Sequence, residues 1–144
     1  MSMAKRERTL ILDRFAVPLR NMNNKILILG DGLTLLIVTL IGFATHGESG
    51  VSFLPRMAAA FIPLLIGWFL LAPWFGLFKA EIISNPKQIW RPALAMLFAG
   101  PLAVVLRGLI LNAPIVPIFA VVLSATSAFG MMIWRTVYFL FSNR

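Results

Sequence analysis

Three ionisable side chains, Asp31, Arg107 and Arg135, lie within or at the ends of long apolar runs. A charge near the middle of a membrane helix costs roughly 2.5–3.5 kcal/mol on insertion scales, so each must have a partner or a task. A carboxylate and a guanidinium can neutralise each other across a helix bundle. The same groups can also line a route for an ion or a solute. A second set of candidates is local: His46-Gly47-Glu48-Ser49 places an imidazole, a carboxylate and a hydroxyl in one loop. That set has the types needed for acid–base work on a lipid or a periplasmic substrate, but not the surroundings. A zinc site takes three or four protein ligands, and the chain has one histidine and no cysteine. A serine nucleophile needs a positioned base and an oxyanion hole, and no nucleophile elbow is present. There is also no Walker sequence and no dinucleotide fingerprint. The expectation is a non-enzymatic protein with no cofactor and no metal.

The elements that must position these residues are four apolar runs, Ile26–Ala44, Met57–Phe78, Pro92–Leu111 and Pro114–Trp134. Each is close to the ~20 residues a helix needs to cross a bilayer core of about 30 Å. Hydrophobic residues make up 60% of the 144 positions and charged residues 12%. A water-soluble domain carries about 25% charged residues, and these helices have too few polar side chains to cover an aqueous surface. The fold class expected is all-α: a polytopic membrane protein with four transmembrane helices in an up-down bundle. The helices are expected at about 26–45, 57–78, 92–111 and 114–138. They form a domain at 26–142, preceded by a basic segment at 1–25. The first apolar run is longer than the 7–15 residues of a signal-peptide core and ends without a small-x-small site, so it reads as an uncleaved helix.

Net charge is +8, and its distribution sets an expected orientation. The first segment carries Lys5, Arg6, Arg8, Arg14, Arg20 and Lys25; the first loop carries Arg56 alone; the second carries Lys79, Lys87 and Arg91. The positive-inside rule then puts both termini and the second loop in the cytoplasm, for a multi-pass protein of the cytoplasmic (inner) membrane. The partners expected for these basic residues are anionic lipid headgroups of the bilayer. Nucleic acid is not expected, because no aromatic platform accompanies the charges. Residues Thr9–Leu19 read either as a short surface helix limited by Pro18 or as a flexible tail.

Helical spacing groups the polar residues. Asp31, Thr34, Val38, Gly42 and Thr45 follow three- and four-residue steps and should share a face turned into the bundle. Pro63, Gly67 and Pro73 should bend the second helix. Gly100 and Arg107 share a face of the third, and Ser124, Ser127, Ala128, Met131 and Arg135 a face of the fourth, where small residues admit close helix contact. Trp90, Trp134 and Tyr138 fall at the expected interfaces. Asp31 lies roughly 7–8 Å inside the cytoplasmic end of its helix, at the depth of Arg135. This predicts an inner cluster of Asp31, Thr34 and Arg135, with the two charges paired. Arg107 lies toward the other side, which predicts an outer cluster with His46 and Glu48, several acceptors converging on the guanidinium.

The order of these residues resembles the domain-of-unknown-function family numbered 3054, small bacterial and archaeal four-helix membrane proteins. The matching positions run from about Leu29 to Arg135: Asp31, Gly42 and His46, Gly67-Trp68, Arg107, Phe119, and Gly130 followed by Trp134-Arg135. Family members often carry a basic residue directly after the first-helix glycine, where this chain has Phe43; the basic N-terminal segment falls outside the family core. The resemblance implies the four-helix membrane fold and specifies no activity. Residues and resemblance together lead to a small transporter-like protein handling an ion or solute. The alternative is an accessory or assembly subunit of a membrane complex, in which the charges are structural and the apolar face meets a membrane-protein partner or a second copy. A membrane-embedded enzyme using His46 and Glu48 stands behind both.

Overall fold

The computed structural model describes residues 3–142, without the side chains of 4, 5, 9 and 11–23. Helices α1 (Met3–Thr45), α2 (Leu54–Leu71), α4 (Trp90–Leu111) and α5 (Pro117–Ser142) carry the fold; α3 (Ala80–Ile83) is a single turn in the α2–α4 connection. The stretches long and apolar enough to cross a membrane are Asn24–Thr45, Val51–Leu71, Pro86–Leu111 and Pro117–Ser142. In lipid a helix satisfies its own backbone polar groups, so an apolar run of this length has one stable way to cross. The protein is an all-α membrane protein of four such helices, and the described residues contain no strand.

Residues from the start of α1's apolar stretch meet residues from the ends of α2 and α5, while the end of α4 meets the start of α5. The helices therefore alternate in direction. α4 is the centre, packed against both α2 and α5; α1 packs less extensively, against α5 and α2. The inward row of α4 explains its place: Ala95, Ala99, Ala103 and Gly108 are buried at steps of four or five, with Gly100 buried beside Ala99. A side chain on Gly100 would overlap Ser124, and one on Gly67 would come within 3.1 Å of the Ala99 carbonyl. Such small residues let the backbones approach where lipid and protein are equally apolar. The outward faces are correspondingly greasy, with Leu29, Leu109, Ile118 and Phe141 each more than two-thirds exposed.

Several boundaries differ from those expected. α1 has no break after the basic segment: the backbone of 9–19 is helical and continuous with the rest of α1, neither a separate surface helix nor a tail. The side chains of Lys5, Arg14 and Arg20 and all of Arg144 lie outside the described residues. α2 continues through Pro63 but stops at Leu71 instead of Phe78. Pro73 has no N–H to return to Phe69, and Gly76 takes a positive φ of 69°, so the chain turns and frees its carbonyls. α4 ends at Asn112, which is left-handed, and the Ala113 N–H closes the turn onto Gly108 O at 3.0 Å. α5 consequently opens at Pro117, not Pro114. Of the aromatic residues expected at the interfaces, Tyr138 is buried and the Trp134 indole occupies the space above Gly30.

Candidate functional site

Two polar regions sit at opposite ends of the bundle. At the first, α1 turns an i, i+4 row of Leu27, Asp31, Leu35 and Thr39 inward, all of it buried. Arg135 of α5 reaches the same depth. Its Nε donates to Asp31 Oδ1 at 3.1 Å and its Nη2 to Oδ2 at 2.6 Å, a two-bond fork. The remaining Nη1 donates to the Leu77 carbonyl at 2.8 Å, a group available because α2 has already ended. Trp68 Nε1 donates to Asp31 Oδ2 at 3.2 Å. The guanidinium also lies 5.9 Å from the Trp68 ring centre and 5.7 Å from that of Phe78. The region thus joins α1, α2, α5 and the α2–α4 connection. The void beside it, bounded by Leu77, Ile82, Gln88, Arg135 and Tyr138, measures about 20 Å³, room for little more than a water.

The structure puts Asp31 and Arg135 together and leaves Thr34 out. Thr34 Oγ1 bonds the Gly30 carbonyl of its own helix at 2.7 Å. It lies one step round α1 from the buried row and belongs to the second region. Trp68 and the Leu77 carbonyl are the partners that the residue pattern did not supply. The depth argument that paired Asp31 with Arg135 applies equally to Trp68, near the end of the second apolar run; the Leu77 carbonyl depends on where α2 stops.

The second region is a cleft of about 1070 Å³. Its walls are a stripe of α1 (Thr34, Val38, Gly42, Thr45) and a stripe of α5 (Phe119, Leu123, Thr126, Gly130, Trp134); Ala60 of α2 and Arg107 of α4 form its floor. At its closed foot, a side chain on Gly130 would come within 2.8 Å of Val38. Higher up, a side chain on Gly42 would meet nothing within 4 Å. The lining residues Ile37, Ile41, Phe129 and Ile133 are exposed, so the cleft opens sideways between α1 and α5.

His46, Glu48, Arg56 and Arg107 gather at the end near the α1–α2 loop. The convergence of acceptors on Arg107 does not occur. Its Nε is buried without a hydrogen-bond partner, and its guanidinium lies 5.1 Å from the Phe119 ring centre. The reason is local. Gly47 turns the loop at a φ of 74°, and Glu48 pairs with Arg56 at 3.5 Å on an exposed rim. His46 is exposed. The described residues contain no group of three or more metal-ligating acidic or histidine side chains.

A family model described as "Protein of unknown function (DUF3054)" matches residues 28–138. The chain belongs to this family. The DUF3054 match begins just before Asp31 and ends at Tyr138, so it covers both polar regions and all four apolar helices. No curated protein and no solved structure matches.

Proposed function

We propose that this DUF3054 protein is a non-catalytic carrier-type membrane protein that takes an apolar or amphipathic solute from the bilayer into the α1–α5 cleft. The observation that carries the reading is the contrast in occupancy of space. The space around the Asp31–Arg135 fork is filled and both of its members are bonded, whereas the cleft holds about 1070 Å³ between mainly apolar walls. That volume suits a small-molecule site, which is typically ~300–1,000 Å³, apolar, and marked by a few polar groups. The cleft offers space, apolar surface and, at its mouth, His46, Glu48, Arg56 and Arg107, and the carrier reading uses these groups for binding. In this reading the Asp31–Arg135 fork anchors α1 to α5 at one end while the other end admits the solute. By the basic residues counted above, the fork is on the cytoplasmic side and the Arg107 mouth on the outer side.

The accessory-subunit reading draws on the same walls. Gly42 and Thr126 are small enough for a foreign helix to approach closely. Mild-detergent purification followed by native mass spectrometry separates the two. The carrier reading expects a bound small amphiphile on the wild-type protein and its loss in Gly42→Phe, which places a ring in the open space at that position. An adduct equally present in Gly42→Phe removes the reading, as does a clean protein. A stoichiometric second protein, displaced by Gly42→Phe, supports the accessory subunit.

A further inference from the structure

The cleft has one feature that an apolar solute alone does not use. Arg107 sits roughly 6 Å inside the end of α4, at about the depth where headgroups meet hydrocarbon. Its Nε is buried without an acceptor, and among the described residues no carboxylate pairs with it. A guanidinium presents five donors in a fork that fits an oxyanion. Arg56 adds a second cation at the rim against the single carboxylate of Glu48. The mouth therefore carries an excess of positive charge above a long apolar slot. The slot runs along α5 from Phe119 to its closed foot at Gly130, a rise of roughly 16 Å.

We infer that the cleft binds an acidic phospholipid of the surrounding leaflet, its phosphate on Arg107 and an acyl chain lying between α1 and α5. This rests on the carrier reading and specifies the head of the solute. Three features of the cleft select this occupant. The positive mouth calls for an anion, and the apolar walls call for a hydrocarbon chain attached to it. The sideways opening gives access from the leaflet, where such lipids are concentrated. A second copy of the chain fits less well: its acidic residues are Glu7, Asp13, Asp31, Glu48 and Glu81, of which Glu48 alone lies at this end, beside Arg56.

Trp134 lines the cleft and can report on it. In a Trp74→Phe/Trp90→Phe background, the protein is reconstituted into phosphatidylcholine vesicles. Brominated phosphatidylglycerol, brominated phosphatidylcholine or brominated stearic acid is then titrated against its fluorescence. Quenching should favour phosphatidylglycerol over phosphatidylcholine. Arg107→Gln should lower that preference by about tenfold or more, the weight of a charge-assisted hydrogen bond. Glu48→Gln alters an exposed rim and leaves folding intact; removing its charge should raise the preference roughly twofold. Equal quenching by the two phospholipids, a preference unchanged in Arg107→Gln or Glu48→Gln, or saturable quenching by stearic acid alone overturns the inference. So does an Arg107-dependent dimer seen by cross-linking. Gly42→Phe tells the two levels apart. Quenching that is blind to headgroup yet lost in Gly42→Phe leaves the carrier reading standing and the acidic lipid excluded. Quenching that persists in Gly42→Phe removes the cleft from both.

Discussion

The two ends of the apolar stretch of α1, Asn24–Thr45, pack against the same neighbour in opposite ways. Near its start, Gly30 lies under the Trp134 indole and Asp31 is forked by Arg135, so α1 and α5 are in full contact. Three turns later Gly42 faces open space, and the buried Nε of Arg107 on the cleft floor has no acceptor among the described residues. Between helices in lipid there is no hydrophobic drive to close such a gap. Contact persists where polar bonds or interlocking small and large residues hold it. One end of α1 has both and the other has neither, which makes the first an anchor and the second the part of the molecule that can accept something else.

Removing the anchor should have the largest effect. Arg135→Gln leaves Asp31 without its cation but with the Trp68 indole as a donor, and Asp31→Asn leaves Arg135 with the Leu77 carbonyl. Breaking a buried pair from one side costs about 3–5 kcal/mol. Each single change should lower the midpoint of denaturant unfolding in detergent by a corresponding amount, and the double change should cost less than the sum. Strict additivity, or singles below about 1 kcal/mol, would show that the fork is not what holds α1 to α5.

This half of the molecule was largely legible in the sequence. Helix length and residue depth are one-dimensional quantities, and depth alone brings Asp31 to Arg135. The rest depended on separations between helices, which residue types permit without dictating. Gly30 and Gly42 read alike as small residues of an apolar helix, yet one is covered and the other open. Arg107 was expected to collect His46 and Glu48 because all three lie at one depth. They do share a cleft, but the loop turn at Gly47 gives Glu48 to Arg56. The contact of Trp68 with Asp31 was within reach of the depth argument; the role of the Leu77 carbonyl was not, since it follows from the chain turning at Pro73 and Gly76.

A smaller effect, of opposite sign at the two ends, is expected from the glycines themselves. Gly30→Ala drives a methyl into the Trp134 ring, and overpacking of this kind costs about 1–3 kcal/mol. Gly42→Ala meets nothing, so the gain of a better helix former remains, up to roughly 1 kcal/mol. Unfolding midpoints should therefore move down in the first and hold or rise in the second. If both fall together, the gap at Gly42 closes in the membrane and the comparison is lost.

The smallest expected effect comes from repeating the arginine substitution at the open end. Arg107→Gln is the same chemical change as Arg135→Gln but removes no hydrogen bond within the described residues. It loses a guanidinium–ring contact with Phe119, worth about 0.5–1 kcal/mol at an accessible site. It also relieves a cation placed at headgroup depth without an acceptor, which offsets part of that loss. The net change in lipid-free detergent should stay within about 1 kcal/mol, and Arg107→Lys should be closer still to wild type because no fork has to be matched. Adding an acidic phospholipid should then separate the proteins: wild type gains stability by mass action and Arg107→Gln does not. A large loss for Arg107→Gln already in lipid-free detergent would mean that Arg107 has partners inside the bundle. The open end would then be a second anchor.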